Sequence, residues 1–280
     1  MNSPDDLIKK GVKVSSPLII FNQLHKAISN PETSFSDIAG IINKDSSLSL
    51  RLLKIANSSF YSFPTKIETI TQAITVIGTN QLRDLVLATT VLKAFKGIPN
   101  DLINMNLFWR HSIACGLASR IIATYRCEPN VDRFYVSGLM HDIGRLILFM
   151  KIPKKANKAL NLSQTKDKLL HDAERDVIGY DHAAVGGALL RAWKLPESLE
   201  EAVAFHHSPS SATHYPAEAA IVHFADIMAN ALQIGSSGEF FVHPLDAAAW
   251  EVIGLPVNII SSIMDQMERQ FVDAVQMFLP

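Results

Sequence analysis

The chain has 280 residues, 48% of them hydrophobic and 19% charged, enough apolar material for one large core or two modest ones. A formal net charge of −1 argues against a general nucleic-acid binder, which carries a visible excess of Lys and Arg. The N-terminus Met1-Asn2-Ser3-Pro4-Asp5-Asp6 lacks the basic and apolar regions of a secretory leader, and no run approaches the ~20 apolar residues of a membrane span, so a cytoplasmic protein without membrane contact is expected.

Leu18, Phe21, Leu24 and Ile28 recur at helical spacing after Pro17 and predict a first amphipathic helix. A second is read over Ser34–Ile42 and stops near Asn43. Asp45-Ser46-Ser47 then caps a third that runs to Asn57. Phe60, Tyr61 and Phe63 mark an aromatic loop ahead of Pro64, followed by helices over Thr71–Ile77 and Asn80–Phe95 on either side of Gly78. Gly97-Ile98-Pro99-Asn100 reads as a break between an N-terminal part, residues 12–98, and a second part, residues 101–235. That second part opens with a long helix over Asp101–Tyr125, with Trp109, Ile113, Leu117 and Ile121 on one stripe, and one further helix from Val131 to Phe149. On a single continuous helix Cys115 and Cys127 would lie ~18 Å apart, too far for a disulfide. Lys151, Lys154, Lys155, Lys158, Lys166 and Lys168 follow, read as a solvated helix face, with a collar for an anionic ligand as the alternative. Helices are predicted over Asp181–Lys194, Glu197–His207 and Pro216–Leu232. Gly235-Ser236-Ser237-Gly238 is a flexible turn into a C-terminal extension, residues 236–280, whose last helix spans Val257–Phe278. Alternating β-branched runs are missing throughout, and the expected class is all-α.

One segment stands out, Gly138-Leu139-Met140-His141-Asp142-Ile143-Gly144-Arg145-Leu146. Ionisable groups inside an apolar run need a partner or a metal. On one continuous helix His141 and Asp142 diverge by roughly 100° and cannot chelate from a single face. They could serve two neighbouring ions, or one ion near a turn loosened by Gly144; a core histidine bonded to its neighbouring carboxylate is the plain alternative. His111, His182, His206, His207 and Asp226 lie on the neighbouring predicted helices. Such side chains projecting inward from successive helices build a metal cage. Seven N and O donors exceed what one ion needs and suit two ions ~3.5–4 Å apart, bridged by a carboxylate and a water. Without cysteine in the set, iron, manganese or zinc fits. His25, His171, His214 and His243 read as ordinary histidines.

The order His…His-Asp…His…His-His…Asp resembles the ligand pattern of the HD superfamily of metal-dependent phosphohydrolases in its HD-GYP-like version. A wider resemblance is to the HDOD family of bacterial signalling proteins. It is carried by Ile55-Ala56-Asn57-Ser58-Ser59-Phe60-Tyr61, Ile67-Glu68-Thr69-Ile70-Thr71-Gln72-Ala73-Ile74, Gly138–Gly144, His182-Ala183-Ala184-Val185-Gly186 and Trp193-Lys194-Leu195-Pro196. The resemblance implies an all-helical regulatory domain that binds a signalling protein or a small phosphorylated ligand. The filled seven-residue set adds an expected pair of divalent ions, iron or manganese rather than zinc. The alternative it carries is a phosphohydrolase or phosphodiesterase acting on a nucleotide or cyclic dinucleotide, with Arg145 on the phosphate. Leu107 stands where a trinuclear site would have Glu, and Arg145 where HD-GYP enzymes have Lys. The loop ending in Tyr215-Pro216 lacks that family's glycine and acidic residues, which weakens the expectation of cyclic-dinucleotide hydrolysis.

Overall fold

Caps written into the sequence set many of the helix starts. Ser34 and Asp37 form a reciprocal capping box for one helix, Asp45 accepts from the Leu48 amide at the next, and Thr69 with Gln72 forms a second box. The computed structural model describes residues 3–9, 18–58, 60–95, 98 and 102–279. Its N-terminal half holds α1 (Pro4–Lys9), α2 (Ile19–Ile28), α3 (Phe35–Asn43), α4 (Ser46–Ala56), α5 (Ile70–Ile77) and α6 (Thr79–Ala94). The second half holds α7 (Met105–Tyr125), α8 (Val131–Met140), α9 (Ile143–Lys151), α10 (Pro153–Lys166), α11 (Leu170–Ile178), α12 (His182–Ala192), α13 (Glu197–Phe205) and α14 (Pro216–Ala231). After an irregular segment come α15 (Ala247–Ile253) and α16 (Ile259–Phe278). Among the described residues there is no strand, and the class is all-α. No helix there is long and apolar enough to cross a membrane. Apart from Ile98, the break read at 97–100 lies outside the described residues.

One hydrophobic core runs from Leu7 to Phe278 and takes side chains from both halves. The N-terminal half is also tied to the second by polar and aromatic contacts. Tyr61 donates to Asp132 on α8 at 2.7 Å, Arg120 on α7 pairs with the same carboxylate at 2.9 Å, and its guanidinium lies 3.9 Å from the Phe60 ring centre. Asn130 donates to Asp84 on α6 at 3.0 Å. At the far end α16 packs across α7, and Phe278 stacks on Tyr135 at 5.2 Å.

Around the site the structure departs from the sequence reading at three points. The helix expected over Val131–Phe149 is two helices, α8 and α9, broken at His141-Asp142, where Asp142 sits at φ −94, ψ 7. The break removes the 100° divergence of a continuous helix and turns both side chains toward one interior point. Gly144 does something other than loosen the turn. A Cβ there would strike the His182 carbonyl oxygen and lie 2.5 Å from the Gly186 amide nitrogen, so glycine lets α9 approach the start of α12. Gly144→Ala must push two backbones apart and is expected to cost about 3 kcal/mol or more. Urea unfolding checks this as a lower midpoint at unchanged m value. Gly235–Gly238, read as a flexible turn, is pinned instead. The Ser236 amide donates to Leu107 of α7 at 3.1 Å, and Ser237 is buried. The lysines of α10 do lie on its outer side, opposite buried Ala156, Ala159 and Ser163.

Candidate metal centre

All seven sequence-derived residues meet in the second half of the fold. His111 comes from the middle of α7, His141 and Asp142 from the α8–α9 break, and His182 from the first turn of α12. His206 and His207 follow the end of α13, and Asp226 projects from α14. Six of the seven are buried; His207 alone keeps partial exposure.

The two oxygens of Asp142 face different neighbours. Oδ2 lies 3.1 Å from His141 Nε2 and 3.8 Å from His111 Nε2, while Oδ1 lies 2.9 Å from His182 Nε2. Asp226 Oδ1 closes the first side, 3.1 Å from His111 Nε2 and 3.5 Å from His141 Nε2. The second side carries His182, His206 and His207, with the Nε2 atoms of His182 and His207 at 2.9 Å.

Orientation of the rings is set from behind. His141 Nδ1 donates to the Gly138 carbonyl at 2.7 Å, His206 Nδ1 to the Val203 carbonyl at 2.7 Å, and His182 Nδ1 to Glu174 Oε2 at 2.6 Å. Each bond turns Nε2 inward, the outer-shell arrangement of metal-ligating histidines, and leaves its lone pair free for an ion once the ring is neutral. His223 shows the contrast. Its Nδ1 donates to the His206 carbonyl at 2.7 Å and its Nε2 accepts from the Asp246 amide at 3.1 Å, so both nitrogens are used and it is structural.

The inward atoms are left over. Nε2 of His111, His141 and His206 and Oδ1 of Asp142 are buried and make no hydrogen bond, although all sit near other polar atoms. Buried unsatisfied groups of this kind cost ~1–3 kcal/mol each, and a convergent set of them calls for a ligand. Four imidazoles and two carboxylates around one point fit a divalent cation, with His207 completing the second side.

Electrostatics agree with that donor set. Burial opposes ionisation of Asp142, but Arg145, His141 and His182 outweigh it and hold the carboxyl well below its usual range. For His182, burial and the Arg145 charge press downward, yet Glu174 and Asp142 prevail and raise it to about 9. His206 is held well below its ordinary value by burial and then by His141 and His182; for His207 the causes are burial and then His206 and His243. For His141 burial presses downward too, but Asp142 prevails and raises it well above its ordinary value, so an ion entering here competes with protons on His141 and His182.

Arg145 is enclosed. Its guanidinium is 1% exposed, donates to the Ser237 carbonyl at 2.9 Å and hydroxyl at 2.7 Å, and lies 3.3 Å from Asp142 and 3.9 Å from Glu174. Glu174 thus supplies an acidic partner to the guanidinium, while Asp176 nearby pairs with Lys168. Two histidines read as ordinary are not isolated. His171 of α11 and His243 of the irregular segment stack near His207, whereas His25 and His214 are exposed. The hold of Glu174 on His182 escapes sequence reasoning. Ser237, Glu239 and His243 escape it too, because they come from a segment with no helical period.

Residues 16–209 match the family profile of the HDOD domain. The fold is similar to that of an HDOD domain protein of unknown function from Geobacter sulfurreducens, with 22% identity, TM-score 0.80, and 99% of this chain and 97% of that one covered. It is also similar to a candidate phosphohydrolase from Shewanella amazonensis, with 21% identity, TM-score 0.73, and coverage of 92% and 93%. In sequence the chain is 23% identical over 207 residues to an uncharacterised protein of Treponema pallidum. That match takes in 73% of this chain but 40% of the relative, so the chain corresponds to only part of it. With the family profile extending over most of its length, the chain belongs to the HDOD domain family.

Proposed function

We propose that the chain is a signal-transduction module that binds a partner protein or a small phosphorylated ligand, and that its HD-type centre holds two divalent ions in a structural or sensory role. The observation that carries the metal is the set of buried, inward-facing atoms of His111, His141, His206 and Asp142 that no protein group satisfies. Two ions rather than one suit the division of Asp142, with Oδ2 toward His111, His141 and Asp226 and Oδ1 toward His182. Imidazole and carboxylate donors favour iron or manganese over a thiophilic ion. A regulatory role suits the enclosure of the centre, since a phosphoester would have to reach ligand atoms that the protein covers, and Arg145 is already engaged by Asp142 and Ser237.

The intact ligand set favours the alternative, a metal-dependent phosphohydrolase in which the ions would activate a water and neutralise a phosphate. The test is elemental analysis of the purified full chain, followed by assay of the manganese-loaded protein on an activated aryl phosphodiester. The regulatory reading expects bound metal and turnover no faster than that of chelated protein. Turnover that appears with metal and is lost in Asp142→Ala would replace it with the hydrolase.

A further inference from the structure

Beyond the seven residues lies a second histidine group. His171 near the start of α11, His207 after α13 and His243 in the irregular segment place their ring centres 4.2, 4.4 and 5.2 Å apart. Each offers a nitrogen within 4.8 Å of the other two. His171 and His243 are more than nine-tenths buried. His171 Nδ1 and His207 Nδ1 are enclosed and have no hydrogen-bond partner. Three imidazoles from three separate elements thus crowd together without bonding one another, each unmet nitrogen costing ~1–3 kcal/mol.

We infer that His171, His207 and His243 form an additional metal site, for one nitrogen-preferring divalent cation of the zinc type, alongside the HD-type centre. A carboxylate is at hand for the fourth position, since Glu239 Oε2 lies 3.6 Å from His243 Nε2. The same carboxylate accepts the Leu170 amide at 2.9 Å, which ties it to the start of α11, one residue before His171. Three imidazoles and one carboxylate make a closed four-coordinate set, which zinc adopts readily at ~2.0–2.1 Å from each nitrogen. The rings now lie within 19–28° of parallel, so their in-plane lone pairs do not yet meet at one point. Closing on an ion requires turns about χ2, a soft torsion in histidine, and approaches of about 1 Å. His207 is common to both sites. Its Nε2 lies 2.9 Å from His182 Nε2, which leaves Nδ1 for the new site. With ions on both nitrogens the ring becomes an imidazolate, and its N–H proton goes to bulk water.

The site can be tested apart from the seven-residue reading, because His171 and His243 belong to none of that set. The experiment uses the full chain, stripped by chelator and reloaded with zinc, with ions per chain counted by mass spectrometry. His171→Gln and His243→Gln are each expected to hold one zinc fewer than the wild type. Cobalt reloading gives an independent readout, since a four-coordinate centre absorbs strongly in the visible and both variants should lose that band. Asp142→Ala keeps the band and loses ions at the HD-type centre. Equal zinc counts and equal spectra for wild type and both glutamine variants would overturn the site and show a packed histidine core. Loss of zinc in the glutamine variants with no loss in Asp142→Ala would uphold the site and refute the HD-type centre.

Discussion

Asp142→Ala should empty the HD-type centre of most of its metal and lower the melting temperature by about 10 °C. The carboxylate touches both sides of the site, 3.1 Å from His141 and 2.9 Å from His182, so its removal uncouples ligands that depend on one another. It also faces Arg145 at 3.3 Å. Leaving one partner of a buried ion pair alone costs ~3–5 kcal/mol, and each kcal/mol is worth ~2–4 °C in a chain near this size. Melting the chelated wild type beside the variant separates the two contributions. The ion-pair loss persists without metal, whereas metal stabilisation follows mass action and disappears. Elemental analysis then decides whether the site holds metal through this carboxylate. An Asp142→Ala protein that retains the wild-type metal content would return His141 to the status of a core histidine.

Residues 101–280 alone should not fold cooperatively, although every candidate ligand of the HD-type centre lies within them. Cutting before α7 removes Tyr61 from Asp132, Phe60 from Arg120 and Tyr135, and Asp84 from Asn130. It also uncovers the side of α8 that α6 packs against, where Leu82, Leu85 and Val86 belong to the common core. Each such apolar side chain contributes ~1.5–3 kcal/mol on burial, so even a few of them rival the ~5–15 kcal/mol that holds a typical domain folded. The fragment should bind a hydrophobic dye and show no sharp thermal transition. A monodisperse fragment with a cooperative melt would mean that the second half is an independent unit. Tyr61→Phe is a gentler probe in the full chain and should cost ~1.5–3 kcal/mol, the range for a hydrogen bond to a charged group.

The strongly periodic helices are legible in the sequence because their apolar stripes and caps agree, as at Ser34 and Asp45. α11 is not, since Leu170-His171-Asp172-Ala173-Glu174-Arg175-Asp176 offers few apolar positions and buries His171 and Glu174 themselves. α15 is equally hidden, a run of three alanines before Trp250 with only a small apolar face. The apolar pattern of α8 continues into α9, which conceals the break at His141-Asp142, and only tertiary contact with α12 explains it. The seven candidate ligands can be picked out by their order and spacing, with His111 and Asp226 inside apolar helices and the others at helix ends or breaks. His171, Glu239 and His243 sit in polar or irregular surroundings, where spacing carries no signal and only the three-dimensional meeting identifies them.

The seat of Ser237 on Arg145 has a kinetic consequence. The segment after α14 is held down by Ser236 on α7, by Ser237 on Arg145 and by Glu239 on the start of α11. On the side that this segment covers, access to Arg145 follows the opening frequency of the segment and not the rate of diffusion. Any partner that pulls the segment away from Arg145 would hasten that access without touching a single ligand.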